Sequence, residues 1–454
     1  MKKVIQMNTV RVFISFLLML LTCTLVLAEG DTSIRCHQEP YILDSGVHEN
    51  REKGESLVYR DAIIFSGVPW MQLHFVDTNL GEESYITLTS LHGGGRQRID
   101  THTLLQWENA SAYFNGEVVE IELVVASGES GIFFRIEEIT VGEWIGDDGL
   151  AEGSYSLLFQ ESICGSYDNR VSSNDPAVGR IVPAGCTGWI ISNGAFLTAG
   201  HCRGTGHVIQ FNVPASQPNG TILHPPPEDQ YPITYLDFQS NGVGGDWAIF
   251  QTGSNNNGQY AIDRQGAFYR VTDDIFPESV SVTGYGIDSL PPGTGGHRNS
   301  DNQTQQTDSG HYIGEDIGLE TKVIIEYIVD TFGGNSGAPV IITQESLTLG
   351  IHTHSGCNPP YFGNQGTGFQ NSDLKNAIQT FSGVNVEYVD NGYPELPTPK
   401  DGTVSRPYNT VQEGANAASA GAIISVVKGS YNEPVIIDKD VTIKAPVGTV
   451  IIGQ

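Results

Sequence analysis

Positive charge is scarce in this chain: 23 Lys and Arg stand against 52 Asp and Glu among 454 residues, for a formal net charge of -29. An acidic surface of that strength opposes binding to nucleic acid or to anionic lipid. Long apolar runs are scarce as well. Only residues 12–27 form one, so nothing after them reads as long and apolar enough to span a bilayer. The six cysteines show no zinc-site spacing. No redox or nucleotide cofactor is implied, and the acidic loops show no calcium-ligand pattern. Glycine, by contrast, is plentiful at 54 residues, and hydrophobic residues make up 39%. That composition predicts real cores built from short strands and tight turns, and the length predicts two to four domains.

Residues 1–28 read as a signal peptide. Lys2, Lys3 and Arg11 precede or open the apolar run, and Val26-Leu27-Ala28 ends it with a cleavable pattern before Glu29. The run is short for a membrane anchor, and an acidic stretch follows at once. Export makes disulfides permissible among Cys36, Cys164, Cys186, Cys202 and Cys357.

Chemistry concentrates in three stretches. Gly333-Gly334-Asn335-Ser336-Gly337 exposes a hydroxyl on a sharp turn among small residues, where main-chain N–H groups can converge. A hydroxyl is a weak nucleophile that needs a base, and the base needs an orienting group. Thr198-Ala199-Gly200-His201-Cys202 supplies an imidazole, and Gly244-Gly245-Asp246-Trp247 supplies a carboxylate. Alone, His201 reads as a loop histidine, Asp246 as a turn acid and Ser336 as a turn serine; their joint order outweighs those readings.

In the order His, Asp, Ser, with spacings of 45 and 90 residues, these stretches resemble the chymotrypsin-type serine peptidases. The resemblance implies a mainly β, two-barrel peptidase domain. It implies a catalytic triad of His201, Asp246 and Ser336, and an oxyanion hole from the N–H groups of Gly334 and Ser336. It also implies a Cys186–Cys202 bridge around the histidine loop, with protein or peptide substrates. Cys164 and Cys357 could form a second bridge, which would leave Cys36 single, but the sequence does not fix the connectivity of these three. Gly179-Arg180-Ile181-Val182 looks like an activation cleavage site but is read as a strand. In zymogen-type relatives an Asp just before the serine pairs with the new amine, and here that residue is Asn335.

Specificity divides. Gly350-Ile351-His352 resembles the segment of glutamyl endopeptidases in which a histidine binds a substrate carboxylate, helped by a threonine at the position of Thr331; after His352 the pattern departs, with Thr353-His354. This implies Glu or Asp at P1 and a pH-sensitive imidazole. Asp330, six residues before Ser336, implies the alternative, trypsin-like recognition of Lys or Arg. A reading from another class makes the core an inactive scaffold that carries surface- or glycan-binding β-modules.

Along the chain, residues 29–150 alternate in period two around Trp70, Trp107 and Phe114, which predicts a β-sandwich serving as an accessory ligand-binding domain or a propeptide. Acidic residues near 147–153 mark the boundary of the peptidase domain, residues 151–384. Residues 288–316 read as an exposed mobile loop. Residues 385–402 form a Pro-rich linker. Residues 403–454 resemble the opening of a pectin-lyase-type parallel β-helix through Arg406-Pro407-Tyr408, Val435-Ile436-Ile437 and Val441-Thr442-Ile443, with only one or two coils and no lyase constellation.

Overall fold

The computed structural model describes residues 33–145, 162–274, 277–288, 298–319, 321–343, 347–357 and 363–453. The leader at 1–28 and the boundary at 147–153 lie outside the described residues. The core of the molecule is a pair of six-stranded barrels, the chymotrypsin-like fold. The first comprises β1 (Val178–Val182), β2 (Cys186–Ile190), β3 (Phe196–Thr198), β4 (Val208–Gln210), β5 (Gln230–Ser240) and β6 (Asp246–Thr252). The second comprises β7 (Ser279–Gly284), β8 (Gln306–Leu319), β9 (Lys322–Ile328), β10 (Pro339–Ile342), β11 (Leu347–His354) and β12 (Asn364–Gly368). Both close in the same order. The first runs β1-β2-β3-β6-β5-β4, and the second runs β7-β8-β9-β12-β11-β10, each returning to its first strand.

Each barrel is filled by its own inward-facing residues, Ile181, Phe196, Phe211 and Phe250 in the first and Val282, Ile325, Tyr327 and Val340 in the second. A further apolar cluster joins Trp189, Leu197 and Trp247 of the first barrel to Tyr285, Ile351 and Phe369 of the second. The barrels therefore meet along a dry seam, and the loops that cross it are held at fixed separation. Arg180 lies fully buried on β1, donating to Gln210 Oε1 at 2.8 Å and to the carbonyl of Leu223 at 2.7 Å. The segment around Arg180–Ile181 is thus barrel wall.

Three sequence expectations change. Of the loop expected at 288–316, residues 306–316 belong to β8, paired on both sides. The linker expected at 385–402 contains a strand, Val386–Val389, that pairs in parallel with Ala422–Val426. Its Tyr393 is buried and donates to the carbonyl of Ser405 at 2.6 Å, so the proline stretch is seated rather than free. In the C-terminal module, Ala422–Val426 also pairs in parallel with Val441–Lys444, and Gly429–Tyr431 pairs with Val450–Ile452, whereas Val435-Ile436-Ile437 is not a strand.

Residues 33–145 form two antiparallel sheets around one core that includes Trp70, Trp107 and Phe114. Val182, Val208 and Ile222 of the first barrel belong to the same cluster. At that junction the His224 ring stacks on Tyr113 and meets the edge of Trp70, each with centroids 4.7 Å apart.

Candidate active site

The histidine arrives on a single 3-10 turn, Gly200–Cys202, at the end of β3. Its entry requires glycine, because a Cβ on Gly200 would lie 1.8 Å from the carbonyl oxygen of Gln239. The turn is closed behind by the Cys186–Cys202 disulfide. His201 donates twice to one carboxylate, from its backbone N–H to Asp246 Oδ1 at 2.9 Å and from Nδ1 to Asp246 Oδ2 at 2.5 Å. Asp246 opens β6 with its side chain 2% exposed, while the imidazole is 29% exposed. A buried carboxylate locks the tautomer, and it stabilises the imidazolium more strongly than a solvated one would. The second barrel holds Asp246 in turn. Its N–H donates to Thr367 Oγ1 at 3.1 Å, and that hydroxyl donates back to the Asp246 carbonyl at 2.9 Å.

The serine loop spans the seam from the other side. Thr187, next to Cys186, donates from N–H to the Ser336 carbonyl at 2.9 Å and from Oγ1 to the Gly334 carbonyl at 2.9 Å. Gly337 sits directly on the histidine strand. A Cβ there would lie 2.1 Å from the Thr187 carbonyl oxygen and 2.2 Å from Thr198 Oγ1, and its φ is +90°. Close contact of the two loops puts the carbonyl oxygen of the half-buried Ser336 3.7 Å from Cys202 Sγ, one residue from His201. Among the described residues, the N–H groups of Gly334 and Ser336 donate to no protein acceptor. Both are left open to an acceptor from outside the chain.

His352 on β11 adjoins the serine loop. Its carbonyl accepts the Gly337 N–H at 2.8 Å, and its own N–H donates to the Ala338 carbonyl at 2.8 Å. The side chain is buried, with Nδ1 2.7 Å from the Tyr327 hydroxyl. Burial, reinforced by His354 and His201, pushes the His352 imidazole down to about 3. A tyrosine hydroxyl can donate or accept, so the pairing fits either tautomer; with the hydroxyl donating, the ring's own proton sits on Nε2. His354 sets its ring perpendicular to His201 at 6.3 Å.

Asp330 and Thr331 are placed differently. The Asp330 carboxylate is buried and accepts the Cys164 N–H at 2.7 Å, the Asn169 N–H at 2.7 Å and Asn169 Nδ2 at 2.9 Å. It is occupied in holding residues 164–169, a segment also tied by the Cys164–Cys357 disulfide. Thr331 is fully buried, and its Oγ1 accepts Asn364 Nδ2 at 2.9 Å. Thr187, Thr367, Tyr327 and Asn364 support the site without any local motif. Each is identified only by a partner more than 24 residues away. The cluster of His201 with Cys186 and Cys202 offers no metal site, since both sulfurs are in the disulfide.

Residues 168–372 match the family model described as Trypsin. No curated protein matches the sequence. Among solved structures, the chain is similar to a thermostable serine protease, AL20, from an extremophilic microorganism. The identity is 15%, 43% of this chain and 92% of that chain are covered, and the TM-score is 0.31. It is also similar to the scabies mite inactivated protease paralogue S-I1, at 16% identity over 44% of this chain and 94% of that chain, with a TM-score of 0.32.

Proposed function

We propose that this chain, a serine endopeptidase by the trypsin-like serine protease domain it carries, is exported and cleaves after Glu or Asp. Ser336 Oγ attacks the scissile carbonyl while His201 takes its proton; Asp246 stabilises the resulting imidazolium. The N–H groups of Gly334 and Ser336 receive the oxyanion. His201 then protonates the leaving amine, and water resolves the acyl-enzyme by the same steps.

The observation that supports the P1 reading is the Tyr327–His352 hydrogen bond, which, with the hydroxyl donating, leaves the N–H on Nε2 for a substrate. A neutral N–H donor recognises a carboxylate by hydrogen bonding, and a ring held down to about 3 does so without titrating near neutrality. Asp330 speaks against basic P1 residues, because its carboxylate is buried and already engaged by three N–H donors. Export accords with the two disulfides. The test is digestion of a defined protein by purified material, with Ser336→Ala as control and product termini read by mass spectrometry. Cuts after Glu or Asp that vanish in the variant support the proposal. Cuts after Lys or Arg overturn its specificity, and no cuts from folded protein overturn the activity.

A further inference from the structure

Beneath the serine loop lies a buried cation that the triad does not use. The Arg170 side chain is 1% exposed. Its Nε lies 3.0 Å from Asp168 Oδ1, and its Nη2 lies 2.7 Å from Asp168 Oδ2. The same Nη2 donates to the Ile287 carbonyl at 3.0 Å, and the Ile287 N–H donates to the Gly333 carbonyl at 2.8 Å. The guanidinium also stands 5.4 Å from the centroid of Phe332. Among the described residues its Nη1 has no hydrogen-bond partner. That nitrogen lies 2.4 Å, and Asn335 Oδ1 2.2 Å, from the point a Cβ on Gly286 would occupy. One side chain thus faces the Phe332 ring, reaches Gly333 through one peptide and converges with Asn335 on Gly286; Phe332, Gly333 and Asn335 flank Gly334.

We propose that Arg170 is the positioning residue that holds the oxyanion-forming segment in its working conformation, so that no cut at Arg180–Ile181 is needed. A buried guanidinium stays charged and satisfies its carboxylate in a rigid fork, which makes it a stiff strut. Asp330 and the Cys164–Cys357 disulfide fix the backbone that delivers it. Arg180 is sealed into β1, so cleavage there would break the barrel wall rather than free a terminus.

The inference rests on the endopeptidase reading, but its test separates the two. Arg170→Met is expected to lower kcat roughly 10²-fold with KM little changed, as a displaced oxyanion donor does. Arg170→Lys is expected to recover part of that loss. Arg264→Met removes another buried-carboxylate pair, Arg264–Asp229, remote from the loop, and serves as the control for lost stability. Independently of turnover, hydrogen–deuterium exchange over residues 331–340 is compared in Ser336→Ala protein with and without Arg170→Met. Faster exchange in the double variant is expected. Unchanged exchange, a kcat loss matched by Arg264→Met, or an active species beginning at Ile181 would overturn the proposal. Absence of hydrolysis by the parent protein would overturn the endopeptidase reading alone, since the exchange comparison still decides the role of Arg170.

Discussion

Two residues, Asp330 and His352, separate the specificity readings. The buried Asp330 carboxylate accepts three N–H groups, and stranding them costs about 3 kcal/mol or more. Asp330→Ala is therefore expected to lower the unfolding midpoint sharply while leaving the P1 preference where it was, as read by denaturation and by product termini. A shift of preference away from basic residues in that variant would return Asp330 to the substrate pocket. His352→Leu is expected to act in the opposite way. On the proposed reading it removes the donor to the P1 carboxylate and should cut kcat/KM on Glu substrates roughly 10²-fold or more, with a smaller effect on substrates with apolar P1 residues. Equal loss on both classes would remove His352 from recognition. Both residues are conspicuous in the sequence. Their roles are not, because a carboxylate near a serine serves substrate or scaffold according to what fills its lone pairs.

At the scale of elements, the site is two turns pressed together, and the fit leaves no room for a methyl group. Gly337→Ala would force a Cβ against Thr187 and Thr198 at a φ of +90°, so it is expected to move Ser336 away from His201. Active-site titration should then find little reactive serine in protein whose circular dichroism is native. The Cys186–Cys202 bridge closes a loop of 16 residues behind the histidine. Replacing both cysteines with alanine is expected to cost about 3 kcal/mol of stability, measured by denaturant unfolding. The turns themselves were legible from Gly-Gly-Asn-Ser-Gly and Ala-Gly-His-Cys, because turns obey local rules. The strand at 306–316 was not, since its polar residues read as loop; partners on both sides, β7 and β9, hold it extended.

For the whole molecule, pH and domain association are the informative variables. Burial pushes His207 down to about 4, His352 to about 3 and His224 well below its ordinary value. Each takes up a proton near 6.5 when unfolded but not when folded, so the unfolded state binds more protons between that value and the folded one. Stability therefore falls as pH falls through that window. Glu315, raised to about 7 by burial and by Asp273, acts in the opposite sense between 7 and 4.5 and offsets one of the three. The Tm of Ser336→Ala protein is expected to drop from about pH 6.5 to about pH 4, less steeply in His207→Gln; a flat profile would mean these imidazoles are not held neutral. Residues 33–145 share an apolar core with the first barrel and stack Tyr113 on His224 across the junction. Chain cut at a protease site engineered between residues 145 and 162 is expected to co-elute as one complex on size exclusion. Separation of the pieces would make the first module a removable propeptide.

The sequence by itself determined the order of the catalytic residues, the turns that present them and the mainly β character of the chain. Local composition carries that information, through glycine where backbones must approach and period-two alternation where one face is buried. Only the tertiary structure decided which polar side chains remain available to a substrate. Asp330 is engaged by Cys164 and Asn169 and Thr331 is buried against Asn364, whereas His352 has only one ring nitrogen paired, to Tyr327 two strands away in the barrel. Hydrogen-bond capacity is spent on partners from distant parts of the chain, and no local pattern records which lone pairs are left.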